Sequence, residues 1–184
     1  MKKTYEQRVR ELEDEGLTRS DAQAVVDAED LRNQSDPKEF YDRLIAHVNR
    51  KSWWHLPPMD PKAYTKRGKF LASTYDEAAF YGIFGAGKPL EQRAKIAKPL
   101  VGDEKRIARV LGIPPQYDGM TLEQMATHDA RWRNAALKKG YDAILLMSPK
   151  CFAEWKANGK IPRSLELNVL KVSVGGGASR GEER

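Results

Sequence analysis

Four stretches of the sequence carry side chains whose types and spacing could do chemistry. Gly82-Ile-Phe-Gly-Ala-Gly87-Lys88 fits the first seven places of a phosphate-binding loop. Such a loop needs a strand before it, a helix after it, and a Ser or Thr beside the Lys to hold magnesium. Here residues 76–81 read as a helix, and Pro89 stands in the hydroxyl's place, so no nucleoside triphosphate site is expected. The second stretch, Trp53-Trp54-His55, offers an imidazole between aromatic and proline-rich sequence. The third, Ser73-Thr74-Tyr75, sets two hydroxyls and a phenol at the end of a short apolar run. The fourth is Glu166, which shares with Asn168 the polar face of an otherwise apolar strand. A fixed carboxylate of this kind can stabilise positive charge that develops on a substrate. His47, His128 and Cys151 have no metal-ligand spacing. Trp132 between Arg131 and Arg133 could touch nucleic acid, or could be a helix that buries its Trp and exposes its Arg.

The elements that must position these groups follow from periodicity and caps. Tyr5, Val9 and Leu12 fall on one helical face, and Gly16 suits a left-handed stop. Thr18 with Asp21 approximates a capping box for a second helix carrying Ala22, Val25 and Val26. Asp36-Pro37 opens a third, with Tyr41, Leu44, Ile45 and Val48 as its buried stripe. The sequence then predicts a strand over 69–74, a helix over 76–81 and an edge strand over 95–101, where Pro99 cannot donate to a central ladder. A helix over 103–111 stops at Gly112, and Thr121 with Gln124 caps a longer one that ends at Gly140. Residues 143–147 form a buried strand, Ser148-Pro149 opens a helix with Phe152 and Trp155, and 165–174 alternate as a last strand. A phase slip at Val169–Leu170 suggests a bulge. The Gly- and charge-rich tail, 175–184, is expected to be disordered.

Composition bounds the rest. The chain has 184 residues, enough for one domain with an appendage, with 40% hydrophobic and 32% charged residues. A net charge of +6 favours an acidic partner, although surplus Lys also serves solubility. Cys151 is the single cysteine, so no internal disulfide forms and a reducing compartment is expected. The N-terminus has no apolar run behind its two Lys and does not read as a signal peptide. No apolar run reaches membrane-spanning length, so the expectation is a cytoplasmic protein without membrane contact.

The order of five motifs resembles the ADP-ribosyltransferase fold, in its phage and bacterial form. Trp54-His55 is similar to a first strand that presents a His. Residues 72–81 (ASTYDEAAFY) resemble the second signature, a strand ending in a small hydroxyl residue before an A-x-x-Y-like helix. Residues 96–101 (IAKPLV) are similar to the basic–Pro–Leu strand, 139–144 (KGYDAI) to the G-Y-D turn, and 165–169 (LELNV) to the strand that carries the catalytic Glu. The resemblance covers residues 53–174. It implies an α+β domain over 51–174 with a split β-sheet core, preceded by a helical cap or docking element over 1–50. The first two helices also resemble the hairpins of ubiquitin-associated-like modules. Three positions depart from the pattern. Leu56-Pro57-Pro58 follow the His where Gly and a small hydroxyl residue are usual, Ser164 stands two places before Glu166, and Ala143 replaces a Gly. With Ser164 at that place, arginine is not the implied target.

The resemblance implies an NAD ADP-ribosyltransferase that modifies a macromolecular target, a host protein if the chain is phage-encoded. Cleavage of the nicotinamide–ribose bond of NAD passes through an oxocarbenium-like state. Glu166 is implied as the carboxylate that stabilises it, and His55 as the group that holds the ribose hydroxyls. Ser73 or Thr74 would buttress the glutamate, and Tyr75 or Tyr81 would stack on nicotinamide. Each residue also has a structural reading: a core histidine, cappers of the next helix, apolar anchors, and a glutamate on a solvated face. Glu154 is the fallback carboxylate. Two other functions stay open: a catalytically silent member of the fold that blocks a host protein, and a basic nucleic-acid-binding protein.

Overall fold

A computed structural model describes residues 3–30, 37–80 and 85–172. Helix α1 (Tyr5–Asp14) begins at Thr4, whose hydroxyl accepts from the Gln7 amide while the Gln7 side chain accepts from the Thr4 amide. It buries Val9 and Leu12, and Gly16 (φ +103°) turns the chain out of it. Tyr5, expected on the buried face, is 39% exposed and donates its hydroxyl to Asp27. Helix α2 (Arg19–Asp30) starts at Thr18, whose hydroxyl accepts from the Asp21 amide and donates to the Asp21 carboxylate. Helix α3 (Pro37–Arg50) buries Phe40, Leu44 and Val48. Its expected cap, Asp36, lies outside the described residues, as does the 175–184 tail.

The sheet follows. Strand β1 (Trp53–His55) leads through a short helix α4 (Ala63–Arg67) to β2 (Lys69–Ala72) and α5 (Tyr75–Phe80). Then come β3 (Leu90–Gln92), β4 (Pro99–Gly102), α6 (Glu104–Leu111), α7 (Leu122–Lys138), β5 (Ala143–Leu146), α8 (Pro149–Asn158) and β6 (Glu166–Val169). The strands pair in the order β3-β1-β2-β6-β5-β4, antiparallel except for the parallel β4–β5 pair. The fold class is α+β, with a mixed open sheet. The ladder is unbroken from β3 to β4, so the described strands form one sheet rather than two half-sheets. As expected from Pro99, β4 is an edge strand. Strand β6 ends at Val169, so the phase slip at Leu170 is a strand end and not a bulge. Leu170 bends away to donate its amide to Asp142.

Strand alternation divides the sheet into two apolar faces. Trp53, Leu71, Val101, Leu145, Leu165 and Leu167 meet α3 and α8 through Phe40, Leu44, Val48, Phe152 and Trp155. On the other face Leu100 and Ile144, with Leu170, meet α6 and α7 through Ile107, Leu111 and Ala136. Outside this body, α1 and α2 pack on α8 through Ala153 and Ala157. Helix α3 is thus part of the main core, whereas α1 and α2 form a separate cluster. Two side chains pin α3 further: Tyr41 donates to the Pro99 carbonyl at 2.5 Å, and Asn49 exchanges two hydrogen bonds with the Ile96 backbone.

The Gly-Tyr-Asp turn before β5 has a structural purpose. The Asp142 carboxylate accepts from the Ala97 and Lys98 amides at 2.6 and 2.9 Å, tying the entry of β4 to β5. Gly140 (φ +85°) provides the left-handed turn this requires. Among the described residues no helix is long and apolar enough to cross a membrane.

Candidate functional site

Glu166 stands on the α6–α7 face of the sheet, at the start of β6 and opposite both Ala72 and Leu146. Its neighbours Leu165 and Leu167 go into the core on the other face, as the alternation requires. Glu166 lines three cavities, of about 190, 420 and 250 Å³.

The first cavity gathers much of what the sequence singled out. Trp54 and His55 from β1, Ala72 from β2 and Glu166 from β6 all line it. His55 is 5% exposed. Its Nδ1 lies 2.7 Å from the Phe70 carbonyl, which can only accept, so Nδ1 carries the proton. Nε2 then accepts from the Tyr64 hydroxyl at 2.8 Å. Burial and, less strongly, the charge of Lys69 hold the imidazole pKa below its ordinary value, against the opposing pull of the Phe70 carbonyl. The ring is therefore neutral at pH 7, with both nitrogens engaged.

Ser73 lies beside the cavity and acts on the backbone. Its hydroxyl donates to the Leu165 carbonyl at 3.0 Å and accepts from the Leu165 amide at 2.9 Å. The serine thus extends the β2–β6 ladder by one side chain and fixes the residue that precedes Glu166. Thr74 does something different: its hydroxyl accepts from the Glu77 amide and caps α5. Tyr75 is 41% exposed and meets Trp54 edge to face, ring centroids 5.3 Å apart. Tyr81 lies outside the described residues. Glu154 sits on α8, 3.6 Å from Lys160.

Four polar lining residues were missed by sequence reasoning: Tyr64 and Arg67 from α4, Gln116, and Asp129 from α7. Arg67 donates through Nε and Nη2 to Asp129 Oδ2 at 3.1 and 2.5 Å, and Gln116 donates to Oδ1 at 2.9 Å. Both ends of this pair are largely buried. Burial pushes the Asp129 carboxyl above its ordinary value, and the hydrogen bond from Arg67 opposes it. Gly68 explains how α4 comes so close to β6. Its φ is +89°, and a Cβ there would sit 2.1 Å from Asn168 Oδ1.

Of the glycine run, Gly85 is part of the cavity wall. Gly85 bridges Pro58, the Ala86 amide donates to the Pro57 carbonyl, and a Cβ on Gly85 would strike Leu56. The strand β3 follows it where a phosphate loop needs a helix. Gly82 to Phe84 lie outside the described residues. The Trp132 indole donates to the Ile113 carbonyl and Arg133 donates to the Leu170 carbonyl, so both are turned toward the protein, while Arg131 is exposed. No group of three or more His, Cys, Asp or Glu among the described residues could hold a metal ion.

Comparison with known protein families, with curated proteins and with solved structures gives no significant match.

Proposed function

We propose that the protein transfers ADP-ribose from NAD to a macromolecular acceptor, a host protein if the chain is phage-encoded. The observation that carries this is the convergence of Trp54, His55, Ala72 and Glu166 on one cavity. These residues come from three adjacent strands and from three of the motifs on which the resemblance to ADP-ribosyltransferases rests. At about 190 Å³ the cavity is smaller than the roughly 300–1,000 Å³ of pockets that enclose whole ligands. It would take the nicotinamide and its ribose and leave the remainder of NAD outside.

In this reading nicotinamide departs with the electron pair of its bond to ribose. The acceptor nucleophile attacks the same carbon and gives up its proton. Positive charge gathers on the ribose between the two events, and the Glu166 carboxylate stabilises it. Ser73 keeps the strand from shifting under the carboxylate through its two bonds to Leu165. His55 would bond the ribose if the Tyr64 hydroxyl gives way at Nε2. Incubation of the full chain with labelled NAD and a host lysate, followed by mass spectrometry, should show a labelled protein whose label is absent with Glu166→Gln. Binding of NAD without release of nicotinamide or labelling would replace this reading with the silent binder. One observation favours that alternative: both nitrogens of His55 are already satisfied within the protein.

A further inference from the structure

Lys98, Arg133, Lys138, Lys139 and Lys171 gather at the end of the sheet that lies away from Glu166. Glu166 opens β6, and Val169, which closes it, pairs with Ala143 at the start of β5. Ala143 in turn pairs with Pro99 at the start of β4, so the residues just outside these three strands share one end. A chain of contacts joins them. Arg133 Nε, on α7, donates to the Leu170 carbonyl at 3.0 Å. The Leu170 amide donates to the Asp142 carbonyl, and the Asp142 amide donates to the Lys98 carbonyl. Lys98 Nζ lies 5.7 Å from the Tyr141 ring centre, and a Cβ on Gly140 would be 3.5 Å from it. Lys138 and Lys139 end α7 immediately before that glycine, and Lys171 follows Leu170. All four lysines are exposed.

Little nearby offsets this charge. Asp142 is the sole carboxylate within residues 95–99, 133–143 and 169–172, and its two oxygens accept the Ala97 and Lys98 amides. None of the five cations is paired to a carboxylate among the described residues.

The spread of the charges selects the partner. Strand β5 separates β6 from β4, so Lys171 and Lys98 extend from strands about 10 Å apart. A small anion spans only part of that row. Duplex nucleic acid carries one phosphate charge per about 1.7 Å of its axis and faces the whole of it. Stable attachment to a bilayer or to a protein also draws on apolar anchors. None of the large apolar side chains exposed among the described residues lies in these segments. Tyr141 is half-buried against Lys98, so it offers no free face on which unpaired bases could stack.

We infer that this end of the sheet binds the phosphate backbone of duplex nucleic acid without reading its sequence. Lys98, Arg133, Lys138, Lys139 and Lys171 hold the phosphates. The surface lies at the far end of β6 from Glu166, so the inference does not depend on NAD chemistry.

The test is fluorescence anisotropy of a labelled DNA duplex of about 20 base pairs, titrated with the full chain at about 50 and 200 mM salt. Four or five phosphate contacts predict affinity on the order of a hundredfold weaker at the higher salt. Two double variants at exposed positions are Lys138→Gln with Lys139→Gln, and Lys98→Gln with Lys171→Gln. Each should weaken binding at least tenfold at the lower salt and reduce the log–log salt slope by about two. Lys88→Gln with Lys156→Gln removes the same charge from exposed positions elsewhere and should bind within about twofold of wild type. Single-stranded DNA of equal length, vesicles containing phosphatidylserine, and polyglutamate should all bind more weakly than the duplex. The inference fails if the duplex does not bind at the lower salt, or if any of these three binds as tightly. It fails equally if the sheet-end variants keep wild-type affinity, or if the Lys88 and Lys156 pair weakens binding as much as they do.

Discussion

At the scale of single residues, the candidate site is a set of polar groups whose protons are already assigned. His55 shows the consequence for pH. Burial holds its pKa below that of the unfolded chain, so native and unfolded forms are both neutral at pH 7. As pH falls below the unfolded value, the unfolded chain takes up a proton that the folded one refuses. Stability tied to His55 is thus present above about pH 6.5 and is lost as pH falls toward the folded value. Asp129 has the opposite sign. Its raised pKa favours the folded state under acid conditions, and that gain disappears as pH rises through the folded value. Melting temperatures measured from pH 7.5 to 5 should fall for the wild type and fall less for His55→Gln. Equal slopes would mean that His55 is not held neutral. Ser73 makes a second residue-scale prediction. Ser73→Ala leaves the Leu165 amide and carbonyl without their side-chain partner in a buried place, which should cost about 1–3 kcal/mol in urea denaturation. A loss below a few tenths would show that the serine does not hold the strand.

At the scale of elements, legibility in the sequence followed local chemistry. Thr121 with Gln124, and Ser148, each cap the helix that the sequence assigned to them, because a cap is made by residues three apart, whereas Asp103, expected as the first residue of its helix, is the cap that precedes it. Pro99 marked an edge strand through its missing donor. The elements that escaped have no such signal. Helix α4 is five residues long without a side-chain cap, and β3 is a three-residue edge strand with Leu90 57% exposed. The same division runs through the site. Glu166 and His55 stood out against apolar neighbours, and the strand register brought them to one cavity. Arg67 and Asp129 lie 62 positions apart, and their contact depends on how α4 meets α7, which no local pattern encodes. Removing one partner of a buried pair leaves a charge uncompensated. Asp129→Ala should therefore destabilise the fold by about 3–5 kcal/mol, read as a lowered urea midpoint. A change under 1 kcal/mol would show that the pair does not hold α4 in place.

At the scale of the whole molecule, the N-terminal helices divide between α2 and α3. A chain begun near Lys51 would strip Phe40, Leu44 and Val48 from the main core, at about 2 kcal/mol or more for each large apolar side chain, and should not fold. A chain begun near residue 34 loses only the α1–α2 cluster on α8 and should keep its near-ultraviolet circular dichroism and any NAD cleavage. A folded protein from the Lys51 start would contradict this division. The central claim, that Glu166 stabilises charge on the ribose of NAD, is tested most directly by nicotinamide release from NAD, measured alongside NAD affinity for wild type and Glu166→Gln. The substitution keeps size and most hydrogen bonding but removes the charge. The account predicts release slowed on the order of a hundredfold or more, with affinity changed far less, because the carboxylate acts on the transition state. Release at the wild-type rate from Glu166→Gln, or none from the wild type, would contradict it.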